Sequence, residues 1–247
     1  MRRLKHLKTQ AIVLKSVNYA DYDQILTVYT RELGKIKVMA KGVRRSKSKN
    51  RGGTQAFSLV QMELYRGKTF YRLIQSQNVK SFMEIRESYD KLLAASEWAE
   101  VLGALTNEEE PDPVLFTVGV SGFAYLAHQE TVKTLLVFEA RLLSYLGYLA
   151  AETSCDACSS QELLYVNDHG GCLCEQCHGQ RSGTVLDKSA LKTLCFFISE
   201  DLPQIQRLKV NDKVLQALSV FLHNRISAQL GRELRIFSWP DPSIDNI

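Results

Sequence analysis

Long apolar runs are missing from this sequence. None approaches the roughly 18–20 residues that a membrane-crossing helix needs, so a helical membrane protein is excluded. The common catalytic signatures are missing as well. Gly34-Lys35 and Gly67-Lys68 both lack the glycine five residues earlier that a phosphate-binding GxxxxGK loop requires. Gly119-Val120-Ser121-Gly122 has the wrong spacing for a GxSxG elbow, and no HExxH occurs. Acid pairs fall in helical or turn segments that read as exposed faces, and His128 and His223 read as packed or surface residues. With no catalytic site in view, a binding protein is expected rather than an enzyme. Acids are scarce in one place only. Residues 1–80 hold 4 Asp+Glu against 18 Lys+Arg, whereas residues 81–247 hold 23 against 13. The net charge of +4 therefore conceals a head at +14 and a body at −10. With 45% hydrophobic and 23% charged residues over 247 positions, the chain has globular composition and room for two or three modules.

The start, MRRLKHLKTQAIVLKS, is basic, but its apolar core runs only from Ala11 to Leu14. That is too short for a secretory core of roughly 7–15 residues, and a buried strand is the better reading. The first 80 residues then read as β structure. Thr9–Ser16, Gln24–Thr30 and Gly34–Ala40 are short β-rich runs, the third alternating Lys35 and Lys37 with Ile36 and Val38. Ala56–Arg66 and Thr69–Gln77 follow, separated by a tight hairpin at Gly67-Lys68. Five strands with a long polar loop between the third and fourth predict a barrel of the oligonucleotide-binding (OB) type. Past residue 80 the period turns helical. Apolar spacings predict helices over Ser88–Leu105, Val114–Ala127, Val132–Tyr148, Leu186–Ser199 and Val214–Leu230. Pro113 suits the first turn of the second, Gly147 the end of the third, and Asp212 is a possible N-cap of the last. The expected class is α+β: a barrel domain at 1–80, a helical domain at 81–151 and 179–247, and a small inserted module at 152–178.

Six cysteines in a chain this long do not suggest a disulfide scaffold, which points to a reducing, cytoplasmic setting. Four of them form Cys155-x-x-Cys158 and Cys174-x-x-Cys177, fifteen residues apart. Each pair presents two thiolates from one tight turn, and the separation suits a tetrahedral structural zinc ion. Cys172 leaves the choice of ligand in the second pair open. Cys174 and Cys177 are preferred, because Gly170-Gly171 can make the turn before a CxxC, and His169 and His178 are lesser alternates. Four thiolates would complete the shell and leave no open catalytic position. Cys195 reads as a buried small hydrophobe.

The basic head concentrates its charge. Lys35, Lys37, Lys41, Arg44, Arg45, Lys47, Lys49 and Arg51 occur without an intervening acid. Arg66, Lys68 and Arg72 flank Tyr65, Phe70 and Tyr71 on the next hairpin. Cations that follow a phosphate backbone, beside aromatics that can stack on bases, are what single-strand binding on such a barrel requires. About half the residues of an alternating strand point inward, so Tyr65 and Tyr71 are candidates only. The cysteine segment, residues 152–178, contains no Lys or Arg and five acids, which makes it a poor nucleic-acid reader.

Taken together, the chain resembles the RecO family of bacterial DNA repair and recombination mediators. The resemblance is carried by AIVLKS at 11–16, Tyr19 and Asp23, and ILTVYTRELGKIKVMAKGVRR at 25–45. It continues through Tyr65-Arg66-Gly67, LLVFEARLLSYLGY at 135–148 and the cysteines ending in GGCLCEQC. It implies an OB barrel, a helical domain and a zinc module. It also implies binding to single- and double-stranded DNA, annealing of complementary strands, and partnership with RecR and with single-stranded-DNA-binding protein (SSB). RecA would be loaded indirectly, without ATP hydrolysis. The SSB tail is acidic with an apolar end, and the resemblance suggests a receptor on the helical domain. Lys133 and Arg141 are the cations on its most characteristic helix, although Arg141 equally suits a pair with an acid such as Glu139. The rival readings are a zinc-containing DNA-binding regulator and a nuclease accessory subunit.

Overall fold

The computed structural model describes residues 6–150, 154–160, 165–167, 171–179 and 183–233. Its first half is a closed five-stranded barrel of β1 (His6–Tyr19), β2 (Asp23–Thr30), β3 (Gly34–Ala40), β4 (Leu59–Arg66) and β5 (Tyr71–Lys80). The strands follow the order β1-β2-β3-β5-β4, with β4 returning to β1 and a short parallel pairing of β3 with β5. This is the OB arrangement expected from the strand count. Alternation builds its core: Leu26 and Val28, Ile36 and Val38, and Val60, Met62 and Leu64 all point inward. β1 departs from alternation. Ala11 to Leu14 are all buried, and the pairing with β2 shifts between Val13 and Lys15. Such a bulge lets one strand bury both faces.

The hairpin between β4 and β5 is longer than the predicted two-residue turn. Gly67 N donates to Phe70 O at 3.2 Å, so the turn spans four residues. A Cβ at Gly67 would sit 2.3 Å from that same oxygen, and only glycine fits. The long loop between β3 and β4 is not loose. It contains a 3-10 turn at Arg51–Thr54, and Asn50 clamps it to β5 through Ile74 O and Ser76 N, at 3.2 and 2.9 Å.

The chain packs as two compact units, Met1–His128 and Gln129–Ile247. The first therefore includes α1 (Met83–Arg86), α2 (Tyr89–Ala104) and α3 (Pro113–His128), beyond the charge boundary at residue 80. Contacts to the barrel explain this. The Phe57 and Phe123 rings stack at 5.6 Å, and Arg86 donates to Ala56 O and Ser58 Oγ at 2.6 and 2.7 Å. α2 and α3 approach closely enough for Trp98 Nε1 to reach Gly119 O at 3.2 Å.

The second unit is built on α4 (Thr131–Tyr145), α6 (Lys188–Ser199) and α8 (Asp212–Leu230), with the short α7 (Leu202–Arg207) between the last two. Leu135, Leu142, Leu194, Phe197, Leu218 and Leu222 are among its buried residues. Caps set the helix starts. Glu130 accepts from Val132 N and Lys133 N at α4, and Asp187 accepts from Ala190 N at α6. Asn211, not Asp212, caps α8, and Gly231 ends it in the left-handed region at φ +62°. Between α4 and α6 lies a small sheet of β6 (Tyr165–Asn167), β7 (Cys172–Leu173) and β8 (Gly183–Val185), with α5 (Glu175–His178) beside it.

Candidate nucleic-acid interface and metal centre

Strand register assembles the first site. Met39 on β3 and Tyr65 on β4 are both paired with Arg72 on β5, and His6 on β1 pairs with Tyr65. These side chains form one row on the outer face of the barrel, where the His6 and Tyr65 rings meet edge-on at 5.4 Å. Lys41, Lys68 and Phe70 close around the row to line a groove of about 540 Å³. The partners one residue away, Val38, Tyr71 and Leu64, face the core. Tyr71 is therefore a correction to the expected stacking residues. It is only 7% exposed, its hydroxyl accepts from Arg66 at 2.9 Å, and it cannot meet a base.

A second correction concerns Lys35 and comes from the acidic segment between α2 and α3, which also reaches Lys37 and Arg66. Glu108 bridges the free edge of β3 opposite Lys35, and Glu109 N donates to Lys35 O at 3.0 Å. Gly34 makes room for this, since a Cβ there would lie 2.1 Å from Glu110 O. The Lys35 ammonium turns inward to Gly103 O at 2.6 Å and to Thr106 O. Burial pushes its pKa down while Glu108 pulls it up. Glu108 also pairs with Lys37 at 3.3 Å. Both oxygens of Glu109 accept from Arg66 Nη2, at 2.9 and 3.1 Å, and this hydrogen bonding raises the guanidinium pKa. Lys35 thus belongs to the packing of the unit, and Lys37 and Arg66 already carry a carboxylate each.

Lys41, Arg44, Arg45, Lys47, Lys49, Arg51 and Arg72 are exposed and have no carboxylate partner among the described residues. Arg44 ties the β3–β4 loop to the β1–β2 turn, through its N to Tyr22 O at 3.0 Å and its Nη1 to Asp21 O at 3.1 Å. Arg45 lies over the Tyr22 ring, 5.2 Å from its centroid. Tyr19 and Tyr22 are about half exposed at that turn, and the sequence reading passed over them as surface aromatics. Tyr19 precedes the turn and Tyr22 lies in it between Asp21 and Asp23, two aromatics within four residues on a basic face, which is a signal that could have found them. Arg86 and Glu109 carried no local signal, because they join the site through tertiary packing alone.

Lys133 and Arg141 are not free cations. Lys133 is 9% exposed and donates to Gln206 O and Leu208 O, at 3.3 and 3.2 Å, at the end of α7. Arg141 donates from Nε to Phe197 O at 2.9 Å and from Nη2 to Glu200 O, at the end of α6. Helix ends leave carbonyls without partners, and a cation placed there satisfies them and the helix dipole together. These backbone carbonyls engage both cations, so neither is an unpartnered charge on the helix surface.

The cysteines of the second unit converge as their spacing predicts. The sulfurs of Cys155, Cys158, Cys174 and Cys177 all lie within 4.8 Å of one another, with Cys158 and Cys174 at 3.6 Å. Sulfurs about a tetrahedral ion with bonds of roughly 2.3 Å would be about 3.8 Å apart, so the set fits a metal. Turns present them: Cys155 N donates to Ser160 O, and Cys177 N to Cys174 O. Burial pushes the Cys155 thiol up, but hydrogen bonds from the Cys174, Ala157 and Cys158 backbone outweigh it and bring the pKa down to about 6. Cys177, sharing protons with Cys158 and Cys174, is pushed up to about 12. Four crowded thiols cannot all ionise without a cation to balance them. Cys172 is outside the cluster, buried against Cys195, which resolves the choice in favour of Cys174. His178 stacks on Tyr165 at 3.7 Å instead of joining the sulfurs, and His169 lies outside the described residues.

A family model described as Recombination protein O N terminal matches residues 1–82, and one described as Recombination protein O C terminal matches residues 86–236. These meet at the charge boundary, whereas packing divides the chain at His128. The chain is 30% identical to the DNA repair protein RecO of Alkaliphilus metalliredigens, over 92% of this chain and 94% of that one. It is 32% identical to the DNA repair protein RecO of Desulforamulus reducens, over 96% and 95%. A third relative of the same name, from Pelotomaculum thermopropionicum, is 31% identical over 96% and 94%. With two family models reaching from residue 1 to 236 and relatives matched nearly end to end, the chain belongs to the RecO family of DNA repair proteins.

Proposed function

We propose that this protein is a DNA repair and recombination mediator. It binds single- and double-stranded DNA on the outer face of its barrel and anneals complementary strands. With RecR it helps load RecA onto SSB-coated single strands, acting in the cytoplasm at the nucleoid and catalysing no bond change itself. The observation that carries DNA binding is the row of Met39, Arg72 and Tyr65, ringed by Lys41, Lys68 and Phe70. Aromatic faces stack on any base, and cations hold the backbone whatever the sequence. Annealing follows because a cationic surface offsets the repulsion between two strands. RecR, RecA and SSB are supported by family membership.

The four thiolates hold a structural zinc ion. Zinc accepts an all-sulfur tetrahedral shell, and a filled shell leaves no position for substrate. The segment around the cysteines is too short for a core of its own, so the ion's binding energy stabilises its fold.

For the SSB tail, a concavity that Lys133 helps to line fits better than Arg141. A concavity of about 470 Å³ between the starts of α4 and α8 and the end of α7 sets exposed Arg207 and Lys209 beside Val132, Leu208 and Leu215, with Glu130 and Asp212 also on its wall at the helix starts. A tail that ends in an acidic stretch and an apolar residue needs that combination, and Arg207→Glu should weaken tail-peptide binding.

The deciding experiment is DNA binding across a salt series for Lys41→Glu and Arg72→Glu. Each lost phosphate contact should flatten the slope of log affinity on log salt by about 0.7–0.9, for all sequences alike. Unchanged binding at moderate salt refutes the assignment.

A further inference from the structure

A second concavity on the first unit differs from the hairpin groove in chemistry. It measures about 560 Å³ and lies between the ends of β1 and β2, the β3–β4 loop and α1. Arg44, Arg51 and Arg86 line it, and no Asp, Glu or aromatic residue does. Arg86 is held in place from behind, by Ser81 O at 2.7 Å as well as by Ala56 O and Ser58 Oγ. All three acceptors are neutral, and no carboxylate pairs with Arg86 among the described residues. Burial pushes its pKa down. Ser16 Oγ, on the same wall, is shielded from solvent and has no hydrogen-bond partner. The scaffold is tied together by hydrogen bonds: Asn50 clamps the loop that carries Arg51, and Arg44 is tied to the β1–β2 turn.

Three guanidinium groups around a concave, acid-free space suit an anion that can accept from more than one of them. The absence of aromatics decides what kind. The hairpin groove has Tyr65 and Phe70 to stack on bases, while this pocket has three guanidinium groups among amides, hydroxyls and small apolar side chains, and no aromatic ring. Guanidinium groups match phosphate oxygens two at a time, and a base would have nothing to lie against.

We propose that the Arg44–Arg51–Arg86 pocket is a phosphodiester site that takes a nucleic-acid backbone without its bases. The inference rests on the nucleic-acid reading above and adds a second point of contact to it. The phosphate comes either from the strand that crosses the hairpin groove or from a second strand held on the same barrel.

The test compares a labelled thymidine 20-mer with a 20-mer of abasic deoxyribose phosphates, on Arg51→Glu, Arg86→Lys, Tyr65→Ala and Arg72→Glu. Lys188→Glu, in the second unit, controls for a change of net charge. Arg51→Glu should lower binding of both oligomers by the same factor, about tenfold, and Arg86→Lys should do so less strongly with the fold intact. Tyr65→Ala should weaken the thymidine oligomer alone. Energy transfer between two differently labelled thymidine oligomers on one protein separates the sources. Loss of that signal in Arg51→Glu with first-strand affinity unchanged assigns the pocket to a second strand, and loss of first-strand affinity assigns it to the same strand. A thymidine-only loss in Arg51→Glu overturns the proposal. So does unchanged binding of both strands in Arg51→Glu and Arg86→Lys while Arg72→Glu still weakens it. If Arg72→Glu is also without effect, the nucleic-acid reading itself falls.

Discussion

Glu109 and Glu108 occupy cations that nucleic acid would otherwise engage, and releasing them has a calculable effect. Glu109 accepts from Arg66 through both oxygens, and Glu108 pairs with Lys37 at 3.3 Å. The double substitution Glu108→Gln/Glu109→Gln keeps side-chain length and removes both charges. The backbone anchor from Glu109 N to Lys35 O is untouched, so the segment stays on β3. Two freed cations allow two further phosphate contacts, each steepening the slope of log affinity on log salt by about 0.7 for a single strand. Across a fourfold salt range, from roughly 50 to 200 mM, each added contact multiplies the loss of affinity by about 2.6, and the pair by about 7. Fluorescence anisotropy with a thymidine oligomer at four salt concentrations measures this directly. The variant should bind more tightly at the low end and lose the advantage as salt rises. Because exposed ion pairs contribute little to folding, the thermal midpoint should move by no more than about 2 °C. An unchanged slope, or weaker binding at low salt, would show that Arg66 and Lys37 do not face nucleic acid when released.

Four further outcomes are expected. Removing the metal with a chelator, or replacing Cys177 by Ser, should lower the thermal midpoint of the second unit, and metal analysis of fresh protein should find about one zinc per chain. Because the thiols must lose protons to bind, metal affinity against a competing chelator should climb as pH rises from 6 to 8, and a flat profile would contradict the four-thiolate shell. Gly122→Ala places a Cβ about 2.4 Å from Trp98 Nε1. Denaturant unfolding should register a loss of about 1–3 kcal/mol. Lys133→Met should strand the carbonyls of Gln206 and Leu208 and cost about 1–3 kcal/mol in the same unfolding measurement.

The barrel was legible because alternation is a local property. Ile36 and Val38 could be set on one face from spacing alone and five short β-rich runs could be counted, and the barrel core extends the same alternation to Leu26, Val28, Val60, Met62 and Leu64. The CxxC pairs were legible for a related reason, since two tight turns with the right separation bring four sulfurs together almost regardless of the rest of the chain. Tyr71 was not legible. Its phase relative to Tyr65 depends on the length of the turn between them, which proved to be four residues rather than two. Lys133 and Arg141 were placed on the right helix, but the carbonyls that hold them belong to α6, α7 and the residues after them, some 56 to 75 positions later.

The sequence by itself determined the charge division, +14 in the first 80 residues against −10 in the remainder. Charge and short-period patterns are sums over neighbouring residues, and folding does not alter them. Only the tertiary structure decided where that division ends. The acids of Glu108 and Glu109 belong by sequence to the acidic body, yet they lie on the basic barrel and cover Lys37 and Arg66. Arg86, beyond the charge boundary, completes an arginine pocket with Arg44 and Arg51. The reason is that α1 to α3 pack on the barrel, through Phe57 and Phe123 and through the free edge of β3. Which cations remain open to a phosphate is a property of that packing, and no count along the chain contains it.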